Sequence, residues 1–263
     1  MARFCPMFSS SRGNCTYIGS ARGGILIDIG VSAKRTCCAL YDLGIDADSI
    51  GAIFITHEHS DHISGLRVFA QKHGIRVYAS AGTLSALDAM GVLNGSFSAE
   101  AVDENGVEVD EMFIRPFRTS HDARESVGYT VTTADNRRVS VATDTGVITD
   151  GMLAAINGSD LVMIESNHDI GMLQNGSYPY ILKRRILSDR GHLSNDCCAD
   201  TAAKLLNGGT ARFVLAHLSQ ENNMPVLAYQ ATAASLGGIG AQAGEDYLLD
   251  VVAQGDAPKM ITF

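Results

Sequence analysis

The sequence predicts an α/β protein of the αββα type, a sandwich of two mixed β-sheets with helices outside. Three observations lead there. Short apolar runs of strand length recur along the chain, separated by helix-like segments. Several runs stop at a histidine or carboxylate: Thr56 precedes His57, Ser120 precedes His121, Thr143 precedes Asp144, Ala216 precedes His217, and one run ends on Glu165. Loops leaving the carboxyl ends of strands are where open α/β folds place their chemistry. The third is size: 263 residues, 46% hydrophobic and 19% charged, can bury a substantial core, and one domain over 1–263 is expected.

Taken in order, residues 4–8, 15–19 and 24–28 read as strands separated by glycine-containing turns. A helix is expected at 33–43, a buried strand at 50–56 and a helix from 63 to 70. Residues 75–79 read as a strand and 84–90 as a helix. Further strands are expected before His121, at 129–133, before Asp144 and at 161–165. Helices follow at 179–188 and 194–206, the second with Ser194 as N-cap. After the strand reaching His217 come a last helix at 225–236, a glycine turn at 237–241 and a closing strand at 247–253. No internal repeat is evident.

His57-Glu58-His59-Ser60-Asp61-His62 carries the most chemistry, with three histidines and an aspartate in six residues of a chain holding eight histidines. Imidazole nitrogens and carboxylate oxygens suit zinc, iron or manganese, and an open coordination position activates water near neutral pH. His57 and His59, two apart on extended chain, point the same way and can grip one ion. Asp61 and His62 follow as the chain turns into a helix and can face a second.

This stretch resembles the His-x-His-x-Asp-His signature of the metallo-β-lactamase superfamily. The resemblance implies His57, His59 and His121 on one metal, Asp61, His62 and His217 on another, and Asp144 bridging both. The segments Glu165-Ser166-Asn167-His168-Asp169, Gly191-His192-Leu193-Ser194-Asn195 and His217 to Pro225, with Ser9 to Asn14, resemble the YycJ/WalJ-type exonuclease branch. That branch implies phosphodiester hydrolysis, most specifically 5′-to-3′ DNA exonuclease activity through water activated by two divalent ions. Asp61 and His192 are the expected catalytic groups, His192 because it resembles the Gly-His-Ser histidine of phosphodiesterase relatives, and Glu165 and His168 are expected to orient the ligands or His192. Ser10, Gly13, Asn14 and Ser194 are the expected substrate contacts, although a tight turn explains Ser10 to Asn14 equally well. Only 22 residues separate His121 from Asp144 and 72 separate Asp144 from His217. Neither interval holds the protruding arm of transfer-RNA-processing relatives or the inserted domain of the β-CASP nucleases.

Composition restrains the reading. Twenty basic against 29 acidic residues give a formal charge of −9, which does not favour DNA. Lys183-Arg184-Arg185 with Arg190, and Arg137-Arg138, are the clusters from which a basic stripe would be made. A small phosphodiester is therefore an alternative substrate, and a thioesterase or lactonase on the same scaffold a third reading. A β-lactamase is disfavoured, since that class puts a cysteine where Asp144 stands. Six cysteines without zinc-knuckle spacing read as reduced, largely buried thiols of a cytoplasmic protein, and no window has the length of a membrane span.

Overall fold

A computed structural model describes residues 1–20, 23–252, 255 and 258–263. Along the chain run β1 (Arg3–Phe8), β2 (Cys15–Gly19), β3 (Gly24–Ile27), α1 (Ala33–Asp42), β4 (Ile50–Ile55), α2 (Ser60–Ile63), α3 (Leu66–His73), β5 (Arg76–Ala79) and α4 (Ala81–Ala89). Then come β6 (Ala99–Ala101), β7 (Val107–Val109), β8 (Met112–Arg118), β9 (Val127–Thr132), β10 (Arg138–Ala142), α5 (Asp150–Ile156), β11 (Leu161–Glu165), α6 (Ile170–Asn175) and α7 (Tyr180–Ile186). The chain closes with α8 (Asn195–Asn207), β12 (Arg212–Ala216), α9 (Pro225–Gly238), β13 (Leu248–Val251) and β14 (Ile261–Thr262). Among the described residues the strands form two seven-stranded sheets, one of β1 to β6 with β14, the other of β7 to β13. No helix among them is long and apolar enough to cross a membrane.

The chain forms two compact units. The first comprises 1–116, 123–137 and 255–263, and the second 117–122 and 138–254. In the first unit the strand order is β14-β1-β2-β3-β4-β5-β6, antiparallel from β14 to β3 and parallel from β3 to β6. Its core packs Leu26, Ile53, Ile55, Leu66, Phe69 and Val77, all fully buried. Burial on both faces explains why β4 reads as a continuous apolar run rather than an alternating one. In the second unit β10, β11, β12 and β13 are parallel and in register, so their carboxyl ends align. Helices α5, α8 and α9 supply Met152, Ile156, Leu205, Ala228 and Leu236 to its core.

Most expected elements form, and the departures have local causes. The helix expected at 63–70 is broken into α2 and α3 around Ser64 and Gly65. The Gly65 N–H donates to Ile29 O, and a Cβ there would lie 2.1 Å from Val31 O. Backbone contact with the 29–31 loop thus replaces a helical turn. Asp28, expected to end a strand, leaves it in the left-handed region at φ 61°. The expected turn at 237–241 begins late, because α9 runs through Gly238. Strands β6, β7 and β14 and helices α5 and α6 were not expected. They span three, three, two, seven and six residues, too short for a periodic signal. The closing strand ends at Val251, and residue 253 of the expected span lies outside the described residues. Ser194 caps α8 as expected, its hydroxyl accepting from Cys197 N. The cysteines are less buried than composition suggests: Cys5, Cys15 and Cys198 are buried, Cys37 half-buried, and Cys38 and Cys197 exposed on helices.

Candidate metal centre

Each unit carries a cluster of metal-binding groups. In the first, β4 delivers His57 one residue past Thr56, and α2 begins on Ser60 so that Asp61 and His62 fall in its first turn. The His57 ring centroid stands 4.6 Å from His59 and 4.1 Å from His62. His57 and His62 are fully buried. Below them sits Asp28, absent from the sequence reading. Its carboxylate accepts from Thr56 N at 2.9 Å and from the Thr56 hydroxyl, and His62 Nδ1 stands 2.7 Å away. With Nδ1–H donated to Asp28, the lone pair of His62 lies on Nε2. The Thr56 hydroxyl gives its proton to Asp28 and faces His57 Nδ1 at 3.0 Å, which sets the same tautomer there. This carboxylate–histidine arrangement fixes ring orientation and raises ligand basicity. Burial pushes the Asp28 carboxyl above the usual range, while the His62 and Thr56 contacts oppose that rise.

The Ser9 to Asn14 segment serves this cluster from the other side. Asn14 Nδ2 lies 3.3 Å from Asp61 Oδ2 and 3.1 Å from His62 Nε2, while its Oδ1 accepts from Ser10 N. Asn14 N donates to Asp61 O, and Gly30 N to Asn14 O. A Cβ on Gly30 would stand 1.6 Å from Asp61 O, so only glycine allows the two loops to touch. Ser10 and Asn14 are buried beneath the motif, where they hold Asp61 and His62 in place.

In the second unit the aligned strand ends of β10, β11 and β12 bring Asp144, Glu165 and His217 side by side. Asp144 and His217 both adopt left-handed backbone, at φ 58° and 57°, an uncommon conformation that turns their side chains off the strand ends. Ligand atoms of Asp144, Glu165, His192 and His217 all lie within 4.8 Å of one another. Asp144 Oδ1 is 3.6 Å from His217 Nδ1, 3.8 Å from His192 Nδ1 and 3.8 Å from His121 Nε2. His121 Nδ1 donates to Gly191 O at 3.0 Å, leaving Nε2 as its acceptor. Burial lowers its pKa, which favours the neutral ring a metal requires.

Glu165 organises this cluster. Oε1 accepts from His192 Nδ1 at 2.8 Å and His217 Nδ1 at 2.6 Å, and Oε2 from Thr145 N and Leu193 N at 3.0 and 3.1 Å. Burial opposes its charge, but the two histidines outweigh burial and hold the carboxyl well below the ordinary range. Both rings are thereby fixed with the lone pair on Nε2. His168 behaves differently. It is buried, no hydrogen bond reaches either ring nitrogen among the described residues, and desolvation lowers its pKa to about 4. Its carbonyl accepts from Asn195 N.

The remaining motif residues lock three loops together. Asn195 and Asn223 exchange amide hydrogen bonds at 2.9 and 2.8 Å, and Asn223 Nδ2 also donates to Ser166 O. Asn167 Nδ2 donates to His217 O at 2.9 Å. The expected basic clusters are largely internal ties. Lys183 Nζ caps carbonyls of Gln174 and Gly176, Arg185 pairs with Asp122 at 2.5 and 3.0 Å, and Arg190 donates to His121 O. Arg138 donates to the Asn157 and Ala155 carbonyls. Arg184 stands over the ring of Tyr180 at 5.9 Å, a surface contact.

Buried imidazoles with the proton fixed on Nδ1, grouped with carboxylates, form a donor set suited to divalent ions. The chain belongs to the metallo-β-lactamase superfamily of metal-dependent hydrolases: the beta-lactamase superfamily domain model matches residues 25–218. Among curated proteins it is 36% identical to exodeoxyribonuclease YycJ of Bacillus anthracis over 249 residues, covering 93% of this chain and 92% of that one. It is 35% identical to exodeoxyribonuclease WalJ of Streptococcus pneumoniae at the same coverage. Among solved structures, the metallo-β-lactamase fold protein YhfI of Bacillus subtilis superposes over 100% of both chains with a TM-score of 0.75 at 12% identity.

If Asp28 sets the proton on His62, Asp28→Asn should weaken metal binding by about 10- to 100-fold while the chain still folds. Asparagine tolerates the left-handed backbone at this position. Metal titration with circular dichroism as the folding check tests this, and wild-type affinity in the variant refutes the role.

Proposed function

We propose that the protein is a DNA exonuclease hydrolysing phosphodiesters in the 5′-to-3′ direction. The observation that carries this is the 36% identity over 93% of the chain to an exodeoxyribonuclease. The superfamily match runs from 25 to 218 and so draws on both units, in keeping with one catalytic domain. The order of donors along the chain resembles the superfamily's, and by that resemblance His57, His59 and His121 would hold one divalent ion and Asp61, His62 and His217 a second, with Asp144 serving both. When bound, such ions activate water and neutralise charge developing on the phosphoryl group. Zinc, manganese and iron all suit these donors.

The protein's own groups do the rest. Asp61, held by Asn14, orients the attacking water and accepts its proton. His192, fixed by Glu165 through Nδ1, presents Nε2 to the scissile phosphate or the leaving oxygen. Asn14, held by Ser10, acts on substrate through the position of Asp61, and Ser194 through that of α8. The reduced thiols fit a cytoplasmic setting.

The test uses manganese- or zinc-loaded protein with end-labelled duplex DNA and, in parallel, bis-p-nitrophenyl phosphate. Stepwise release from 5′ ends is expected, abolished in Asp61→Ala and reduced about 10²- to 10⁴-fold in His192→Ala. Cleavage of the small diester alone would replace DNA with a small phosphodiester. Turnover of thioesters or lactones, unaffected by His192→Ala, would overturn phosphodiester chemistry altogether.

A further inference from the structure

Within the first unit, away from the histidine motif in sequence, a cysteine, a histidine and an aspartate stand in line. Cys37 lies in the middle of α1, His73 is the last residue of α3, and Asp48 is in a short 3₁₀ turn (Ala47–Ser49) before β4. Cys37 Sγ is 3.6 Å from His73 Nε2, and His73 Nδ1 is 2.5 Å from Asp48 Oδ1. Asp48 accepts the Nδ1 proton, so the Nε2 lone pair faces the thiol. The His73 side chain is only 8% exposed and packs against Phe69 at 4.7 Å between ring centroids, which holds the ring in place. This is the order of a nucleophile, its base and the carboxylate that orients the base. Neither the ligand set nor the phosphodiester chemistry uses these residues.

We propose that Cys37 is a nucleophilic thiol that exchanges with low-molecular-weight disulfides, with His73 as its base and Asp48 orienting that base. Cys37 Sγ attacks one sulfur of the disulfide while its proton passes to His73 Nε2. The disulfide's S–S bond breaks, a new S–S bond forms at Cys37, and the departing thiolate takes up the proton. One disulfide is exchanged for another, so no further oxidant is consumed. Lys34, one turn earlier on α1, places a cationic side chain on the same helix face as Cys37, in keeping with an anionic disulfide. Cys37 is half-buried and adjoins the surface, whereas burial raises Cys5 and Cys198 to about 12 and keeps them protonated.

The experiment exposes the whole protein to oxidised glutathione and follows each cysteine by peptide mass. Cys38 and Cys197, exposed but without such a histidine contact among the described residues, are internal controls. The mixed disulfide is expected at Cys37 at least about tenfold faster than at either control, and His73→Ala should bring it down to their rate. Asp48→Asn should give an intermediate rate. Opening the packing alone would raise the Cys37 rate in His73→Ala, so a fall reports loss of the base. Continued protection of Cys5 and Cys198 in that variant reports an intact fold. Equal rates at Cys37 and Cys38, or an unchanged or increased Cys37 rate in His73→Ala, would overturn the proposal.

Discussion

Asp144→Ala is expected to yield a folded protein that has lost most of its phosphodiester hydrolysis and holds less metal. Asp144 stands within 3.8 Å of nitrogen atoms on His121, His192 and His217, three imidazoles supplied by different loops of one unit. Glu165, the nearest alternative, has both oxygens committed to four donors. Removing Asp144 takes from the cluster one of the two carboxylates grouped with His192 and His217, and turnover should fall by at least about 10²- to 10³-fold. Alanine at φ 58° adds about 1 kcal/mol of backbone strain, because a side chain without local hydrogen bonding is disfavoured there. Asp144→Asn avoids that strain and keeps the shape, so it separates charge from conformation. Metal content by elemental analysis, turnover of a small diester and a thermal melt decide the matter. Wild-type turnover in either variant would remove Asp144 from the site.

Much of this centre is legible in the sequence because its donors sit where apolar runs stop. A strand buried on both faces announces itself by composition, and the polar residues that follow it lie at the sheet's end. His57, Asp144, Glu165 and His217 are found by that reasoning, whereas His121 follows β8, which announces itself by alternation instead. Asp28 obeys the same rule, closing a run of apolar residues after Gly24, yet a single aspartate beside a turn carries no metal-ligand spacing. Its role depends on β3 lying parallel to β4, which pairs Ile27 with Phe54 and brings Asp28 under Thr56. Asn14 is harder still. Serines, a glycine and an asparagine in sequence read as a turn, and only the Gly30 contact with Asp61 O shows that the turn is pressed against the motif. The basic clusters mislead for a related reason: composition counts charges but cannot show that Lys183, Arg185, Arg190 and Arg138 are spent on carbonyls and on Asp122.

Glu165→Gln is the second substitution expected to have a large effect, although it changes the side-chain volume very little. The carboxylate accepts four hydrogen bonds, two on each oxygen. An amide has a single acceptor oxygen, so in either orientation its NH₂ group faces two donors. With the amide oxygen toward the imidazoles, Thr145 N and Leu193 N lose their acceptor. With it toward the backbone, the His192 and His217 rings lose the bond that fixes their tautomer. A buried hydrogen bond to a charged group contributes about 1.5–3 kcal/mol, so losing two should cost on the order of 3 kcal/mol or more. Metal affinity or turnover should fall by about 100-fold through the loosened rings. Acid stability carries the same signature. The folded carboxyl sits below its unfolded value, so its contribution is complete above about pH 4.3 and is lost as pH falls through the lower, folded pKa. The wild-type protein should therefore lose stability on acidification through this group, and the glutamine variant should start lower and lack that component. Urea melts from pH 3 to pH 7, compared between the two proteins, show it directly. Parallel curves at equal stability would mean that Glu165 does not clamp the two histidines.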